Sequence, residues 1–429
     1  MSEVIPEGWT ISTIDQLTAN NSLFCDGDWV ESKDQDPTGK NRLIQLADIG
    51  DGTFLNKSAR FMNDEQFQRL KCTELRPNDI LIARMPDPLG RACIYKLDSQ
   101  RAATVVDVAI LRTENANHYW LMSAINSPNF RFQIELNASG TTRTRIARGI
   151  LSQIEVLTPP LPEQQRIATI LSSVDDVIEK TRAQIDKLKD LKTGMMQELL
   201  TQGIGHTEFK DSPVGKIPAS WTTERLINLS LNGISNGVFN DPNKVGSGYR
   251  LINVYDMYQG FGIKIDSLER LRLNEKEFIR NKVDVGDVFF TRSSLKLEGI
   301  AHCNINLSSD PSITYDGHIM RVRPDQEKVL PKYLAYYCLS DFSRTFFMRM
   351  AKHSTMTTIG QADIAPLPVA LPSLDEQERI CDLLGSISSS ITSIENRKMG
   401  FISLKKALMQ DLLTGKVRVK PDSPEVAAA

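Results

Sequence analysis

The residues best suited to chemistry in this 429-residue chain cluster in short runs, and the fullest is Ser139-Gly140-Thr141-Thr142-Arg143-Thr144-Arg145. Glycine loosens the backbone there, while hydroxyls and guanidinium forks suit phosphate oxygens and guanine edges. Arg131, Arg143, Arg145 and Arg148 face only Glu135, whereas Asp26, Asp28, Glu31, Asp34 and Asp36 face only Lys33. A comparable run comes later, Lys352-His353-Ser354-Thr355-Met356-Thr357. A solvated loop with incidental charge competes for either run alone. Two further loops, Arg84-Met85-Pro86-Asp87-Pro88-Leu89-Gly90-Arg91 and Arg292-Ser293-Ser294-Leu295-Lys296-Leu297-Glu298-Gly299, share a leading Arg and little else. A kept framework with differing tips suits two readers of different targets. The alternative is an Arg84 or Arg292 paired structurally with a neighbouring acid.

Enzymatic motifs are missing. Gly215-Lys216 and Gly415-Lys416 are followed by Ile217 and Val417 and have no Gly five residues earlier, so no phosphate-binding G-x-x-x-x-G-K-[ST] loop exists. No G-x-G-x-x-G follows a strand, and neither H-E-x-x-H nor G-x-S-x-G occurs. Ser127-Pro128-Asn129-Phe130 only faintly resembles an adenine-methyltransferase loop and reads as a helix-ending turn. His302, Cys303 and His318 lack a fourth ligand at a usual zinc spacing. The chain reads as built to bind and position.

The elements that position these runs come in two copies. Pro6-Glu7-Gly8-Trp9 matches Pro218-Ala219-Ser220-Trp221, and Asp79-Ile80-Leu81-Ile82-Ala83-Arg84 matches Asp287-Val288-Phe289-Phe290-Thr291-Arg292. Residues 159–201 and 372–414 share 16 identities over 43 positions, which marks a duplication. Each of these segments reads as a helix of about 38 residues, introduced by Pro159 to Pro162 or by Pro372. Leu171, Val174, Ile178, Thr181, Ile185, Leu188, Met195 and Leu199 form an apolar seam, repeated as Leu384, Ile387, Ile391, Ile394, Phe401, Leu404, Leu408 and Leu412. Two such stripes in one chain favour an intramolecular pair over a coiled-coil homodimer.

The predicted organisation is α+β, with domains at 1–158 and 218–371, long helices at 159–202 and 372–414, a linker at 203–217 and a tail at 415–429. Short helices are expected at 63–72 and 274–281, strands at 80–84, 108–112, 288–292 and 318–323, and helices at 118–126 and 332–350. Strand pairing is expected to be local. With the tail near the N-terminus, the arrangement would be a pseudo-two-fold circular one. Six scattered cysteines without a C-x-x-C suit reduced, mostly buried thiols. No apolar run reaches the ~18 residues of a membrane span and no signal peptide opens the chain, so no membrane partner and a cytoplasmic location are expected. A net charge of −2 argues against nucleic acid for the whole chain. Split by domain, the balance is 17 basic to 20 acidic and 18 to 16, two mildly charged modules with local basic loops.

With its duplicated P-L-x-E-Q-x-R-I helix starts, M-Q-x-L-L-T helix ends and divergent domains between, the chain resembles the specificity subunit of type I restriction-modification systems across its whole length. The resemblance implies two target-recognition domains, each reading half of a split double-stranded DNA site, and two long antiparallel helices forming a coiled coil that sets the spacing. It implies two methyltransferase (modification) subunits docked on the helices, joined by restriction/translocase subunits. S-adenosylmethionine, ATP and Mg would be used by those partners, with no cofactor, metal or catalytic residue in this chain. The DNA-binding candidates are then Arg84, Arg91, Thr141, Thr142, Arg143, Arg145 and Arg148 in the first domain. In the second they are Arg292, Ser293, Ser294, Lys296, Lys352, His353, Ser354 and Thr355. The alternative is a two-headed coiled-coil adaptor that binds no DNA.

Overall fold

The computed structural model describes residues 5–19, 22–97, 99–140, 144–239, 241–352 and 356–420. The chain forms two compact units, residues 1–183 with 396–429, and residues 184–395. The division cuts both long helices, which run over Leu161–Gln202 (42 residues) and Leu374–Leu413 (40 residues). In the first unit, Ile167 and Leu171 near the start of one helix share a core with Leu412 and Leu413 at the end of the other. In the second, Leu199 and Leu200 meet Ile380 and Leu384 in the same way. Start against end is antiparallel pairing, and it is intramolecular. Each fully buried Leu or Ile here contributes about 1.5–3 kcal/mol.

Each unit builds the same sheets in the same order. The first has a four-stranded antiparallel sheet, Leu23–Asp26, Val108–Arg112, Ile80–Ala83 and Ala92–Ile94. The second has Ser230–Asn236, Ile319–Pro324, Val288–Thr291 and Cys303–Ile305. A three-stranded sheet accompanies each, containing one parallel pair, Arg42 to Ile44 beside Ala102 to Thr104 and Arg250 to Ile252 beside Ile313 to Tyr315. The ends of each domain pair as well, Thr10–Thr13 with Glu155–Thr158 and Thr222–Arg225 with Pro368–Leu371. Pairing is therefore largely long-range, not local as expected, because each strand's buried face finds its partner through the common core.

Some local expectations change. The helix expected at 332–350 is two, Pro331–Leu339 and Asp341–Met350, because Ser340 leaves helical geometry and its hydroxyl caps the second at Ser343 N. Ser127-Pro128 opens the helix Pro128–Leu136, with Ser127 as N-cap and Pro in the first turn, and does not merely end the preceding one. The linker contains a hairpin, Phe209–Ser212 with Gly215–Pro218. Leu404 of the predicted seam is 47% exposed. Its neighbour Lys405 turns inward and meets Asp175 Oδ2 at 2.7 Å, while Tyr119 donates its hydroxyl to the same carboxylate. A straight helix drifts against a 3.5-residue seam, and here the drift brings a charge inward. The six cysteines are free thiols, and burial pushes those of Cys93 and Cys381 up to about 12. No helix among the described residues is long and apolar enough to cross a membrane.

The E-Q pair at each helix start does specific work. Buried Glu163 accepts the Trp9 indole N–H at 2.8 Å and two bonds from Arg418, both at 2.9 Å. Glu376 accepts the Trp221 indole at 3.1 Å, the Ile204 N–H at 2.9 Å and the His206 ring at 2.8 Å. Gln164 and Gln377 receive the N–H groups of Asn117 and Leu330, at the starts of the helices that follow. The helix exits match too: Gly203 and Gly415 both have φ of +67°, and a Cβ would strike Trp221 and Glu376 in one case and Pro6 in the other. The C-terminal segment thus closes onto the N-terminus within the first unit, as the linker closes onto Trp221 in the second.

Burial by itself would raise both carboxyls, but the hydrogen bonds they accept outweigh it and leave them below the usual range. Their stabilisation is therefore full above the unfolded glutamate range near pH 4.3 and is lost as pH falls through the lower folded value. Glu163→Gln and Glu376→Gln should each cost about 1–3 kcal/mol at neutral pH and flatten the acid limb of stability. Urea midpoints at pH 7 and pH 3.5 measure this, and variants with the wild-type acid dependence would refute it.

Candidate nucleic-acid interface

Four segments converge at one end of the four-stranded sheet in each unit. In the first, Ser139 and Arg145 exchange backbone hydrogen bonds of 2.9 and 2.8 Å, closing the loop between them. In the second, Lys352 and Thr358 do the same at 2.8 and 3.0 Å, at corresponding repeat positions. The next residue of each loop, Ile146 or Ile359, donates its N–H to the carbonyl of Arg84 or Arg292. Ser293 and Ser294 extend this contact as a short strand against Thr357–Thr358. The runs that are far apart in sequence are thus neighbours in space.

The framework arginines themselves hold the fold. Arg84 is 3% exposed, donates to the Val106 carbonyl at 2.6 Å and pairs with Asp26 at 3.1 Å; burial lowers its pKa. Arg292 donates to the Gly317 carbonyl, in the matching turn, at 3.2 Å. Arg91 is buried and binds the carbonyls of Ile49, Leu46, Met85 and Pro88. These three are placed to tie turns together, and Arg84 and Arg91 have little surface to offer a ligand. Arg84 has the neighbouring acid of the structural alternative, Asp26, whereas Arg292 is held by a backbone carbonyl.

Arg145 and Arg148 are different, with side chains 41% and 43% exposed. Arg145 meets Asp107 at 3.3 Å, and Arg148 reaches the Phe24 carbonyl at 3.2 Å and Asp26 at 3.6 Å. Gln361, at the position matching Arg148, bonds Asn236 at 3.0 Å, the position matching Asp26. Lys296 and Lys352 are exposed, and Ser293 and Ser294 are half-buried. Thr141, Thr142, Arg143, His353, Ser354 and Thr355 lie outside the described residues. The acidic run disperses in space, since Asp26 faces Arg84 and Arg148, Asp34 pairs with Arg69 at 2.5 Å and Glu31 with Lys33 at 2.7 Å.

The fourth segment escaped sequence reasoning. After the strand Leu23–Asp26 come Gly27, Asp28 and Trp29; after Ser230–Asn236 come Gly237, Val238 and Phe239. Asp28 N–H bonds Thr104 O at 2.7 Å, and Val238 N–H bonds Tyr315 O at 2.8 Å. Trp29 is 68% exposed and Phe239 82%. The available signal was a Gly followed two residues later by an aromatic, at matching places in both copies.

A family model described as "Type I restriction modification DNA specificity domain" matches residues 7–190 and 272–399. The chain belongs to this family. A type I specificity chain explains the doubled architecture, and its curated relatives carry that name. The MjaVIII specificity subunit of Methanocaldococcus jannaschii is 27% identical over 67% of this chain and 68% of its own. The putative MjaX specificity subunit of the same organism is 24% identical over 97% and 95%. The EcoKI specificity subunit of Escherichia coli is 23% identical over 66% and 61%. Two solved structures share the fold. One, described as "Structural basis underlying complex assembly and conformational transition of the type I R-M system", has a TM-score of 0.58 at 15% identity, covering 96% of this chain and all of that one. The other, the S subunit from M. genitalium, has a TM-score of 0.53 at 13% identity, covering 94% and 96%.

Removing a buried, hydrogen-bonded guanidinium orphans the carbonyls it served. Arg84→Ala and Arg91→Ala should each destabilise the specificity chain by about 1.5–3 kcal/mol, whereas Arg145→Ala should stay within about 0.5 kcal/mol. Equilibrium urea unfolding decides; equal midpoints for all three would contradict the assignment.

Proposed function

We propose that this chain is the non-catalytic targeting subunit of a type I restriction-modification enzyme, each unit reading one half of a bipartite double-stranded DNA site. The observation that carries the reading is the four-segment constellation built twice on one framework with different tips: Arg145 against Thr358 and Arg148 against Gln361. A shared scaffold holds each reader in the same pose, and divergent tips select different bases. The mild net charge fits a subunit that relies on partners for much of the phosphate contact. Two methyltransferase subunits would dock on the long helices, restriction/translocase subunits would join them, and S-adenosylmethionine, ATP and Mg would act in those partners.

The helices would set the spacer between half-sites. Inserting four residues in each, after Ala183 and after Glu395, adds about 6 Å and should lengthen the preferred spacer by about two base pairs at 3.4 Å each. Mapping methylated adenines in host DNA with and without this chain identifies the site, and the insertion variant then reports the spacer; an unaltered spacer rejects the ruler. Arg145→Ala should weaken recognition at one half-site by about 1–3 kcal/mol, read by competition between cognate and half-site-mutated duplexes. Equal loss on every duplex would make Arg145 a phosphate contact. A two-headed adaptor would instead show no salt-sensitive DNA binding even with methyltransferase partners present.

A further inference from the structure

We propose that Trp29 and Phe239 are stacking residues, one for each half-site, that insert against a base step of the bound duplex. The inference rests on the DNA-reading function proposed above and names the contact it uses. An aromatic exposed to water is common by itself. These two stand apart because duplication has kept an aromatic at the same place while nearly everything around it changed. Tyr255 and Leu295, also exposed, align with Ala47 and Asp87 and have no such counterpart.

Both aromatics sit on stiff ground. A Cβ on Gly27 would lie 2.3 Å from the Val105 carbonyl oxygen, and one on Gly237 would lie 2.0 Å from that of Tyr315, so the backbone just before each aromatic is pressed onto the sheet. Parallel bridges, Asp28 with Val105 and Val238 with Asp316, continue the contact up to the aromatic itself. The strand leading in is tied to the closing loop's helix by Arg148 with Asp26 in one unit and by Gln361 with Asn236 in the other. An aromatic on anchored backbone loses little backbone entropy on stacking, and base–aromatic stacking tolerates any base. Apolar side chains inserted at base steps are an established way of kinking or opening a duplex. Glu31 accepts the Trp29 indole N–H at 3.3 Å and is paired with Lys33, which reduces its repulsion of phosphates, and the preceding Asp28 is held by the Thr73 N–H at 3.0 Å.

The four tryptophans make this measurable. Trp9, Trp120 and Trp221 are 5%, 0% and 1% exposed, so acrylamide-quenchable emission reports Trp29. The test uses the full chain, carrying 7-azatryptophan so that its emission separates from that of its partners, assembled with its modification subunits and a duplex carrying the mapped site, with 2-aminopurine placed at successive positions in separate samples. DNA binding is expected to quench Trp29 emission and shield it from acrylamide, while 2-aminopurine brightens at one step per half-site. Trp29→Ala should weaken binding roughly 10-fold and abolish the brightening in one half-site, with Trp29→Phe recovering most of both. Phe239→Ala should act on the other half-site alone. Tyr255→Ala should leave both unchanged. Phe239→Trp in the Trp29→Phe background moves the emission reporter to the second unit. Should wild type bind with sequence preference while Trp29 remains acrylamide-accessible and Trp29→Ala binds equally well, stacking is overturned and the reading function stands. Absence of any sequence-preferring binding by wild type overturns both. The wild-type emission alone decides if a variant fails to fold.

Discussion

Each unit depends on a buried carboxylate at the start of a long helix. Glu163 and Glu376 each hold a tryptophan indole from the domain's beginning and an Arg or His side chain from the segment at the other helix's exit. One group therefore joins three parts of the chain that are remote in sequence. A buried carboxylate is costly unless every oxygen is served, and this cost makes the junction selective: only the returning segment with its Arg or His, and its glycine at positive φ, completes the shell. The adjacent Gln then seats the next helix of the domain. Within each unit, domain and helix ends are consequently packed together.

The candidate interface follows a division between frame and tip. Bidentate pairs of Asp79 with Arg112 and Asp287 with Arg323, all at 2.7 Å, fix the sheet in both copies. Arg84 and Arg292 bind the carbonyl of the facing turn. Only beyond this frame do the copies diverge. The exposed positions that differ are thereby kept apart from the buried hydrogen bonds that hold them in place.

Much was legible in order and spacing. Duplication, the pairing of the two long helices and the main domain elements follow from one-dimensional periodicity, because a stripe along a helix states which face must be covered; the antiparallel direction came with the family resemblance. The second-copy matches located the loops that prove to be neighbours. Arginine roles were less legible. Arg84 and Arg145 look alike in a loop, and the difference between a fold-holding and an exposed guanidinium depends on which turn packs above it. No strand was expected before Trp29 or Phe239, so their shared place and exposure show only in the folded structure.

By itself the sequence determined the repeat, the α+β class and the long helices, since these depend on local period and composition. Tertiary structure alone decided which charges face water, that Glu163 closes one unit through Arg418 while Glu376 closes the other through His206, and that each unit raises one aromatic from its sheet. The physical reason is that burial and hydrogen-bond partnership belong to pairs of segments brought together by long-range strand pairing, and no single segment carries that information.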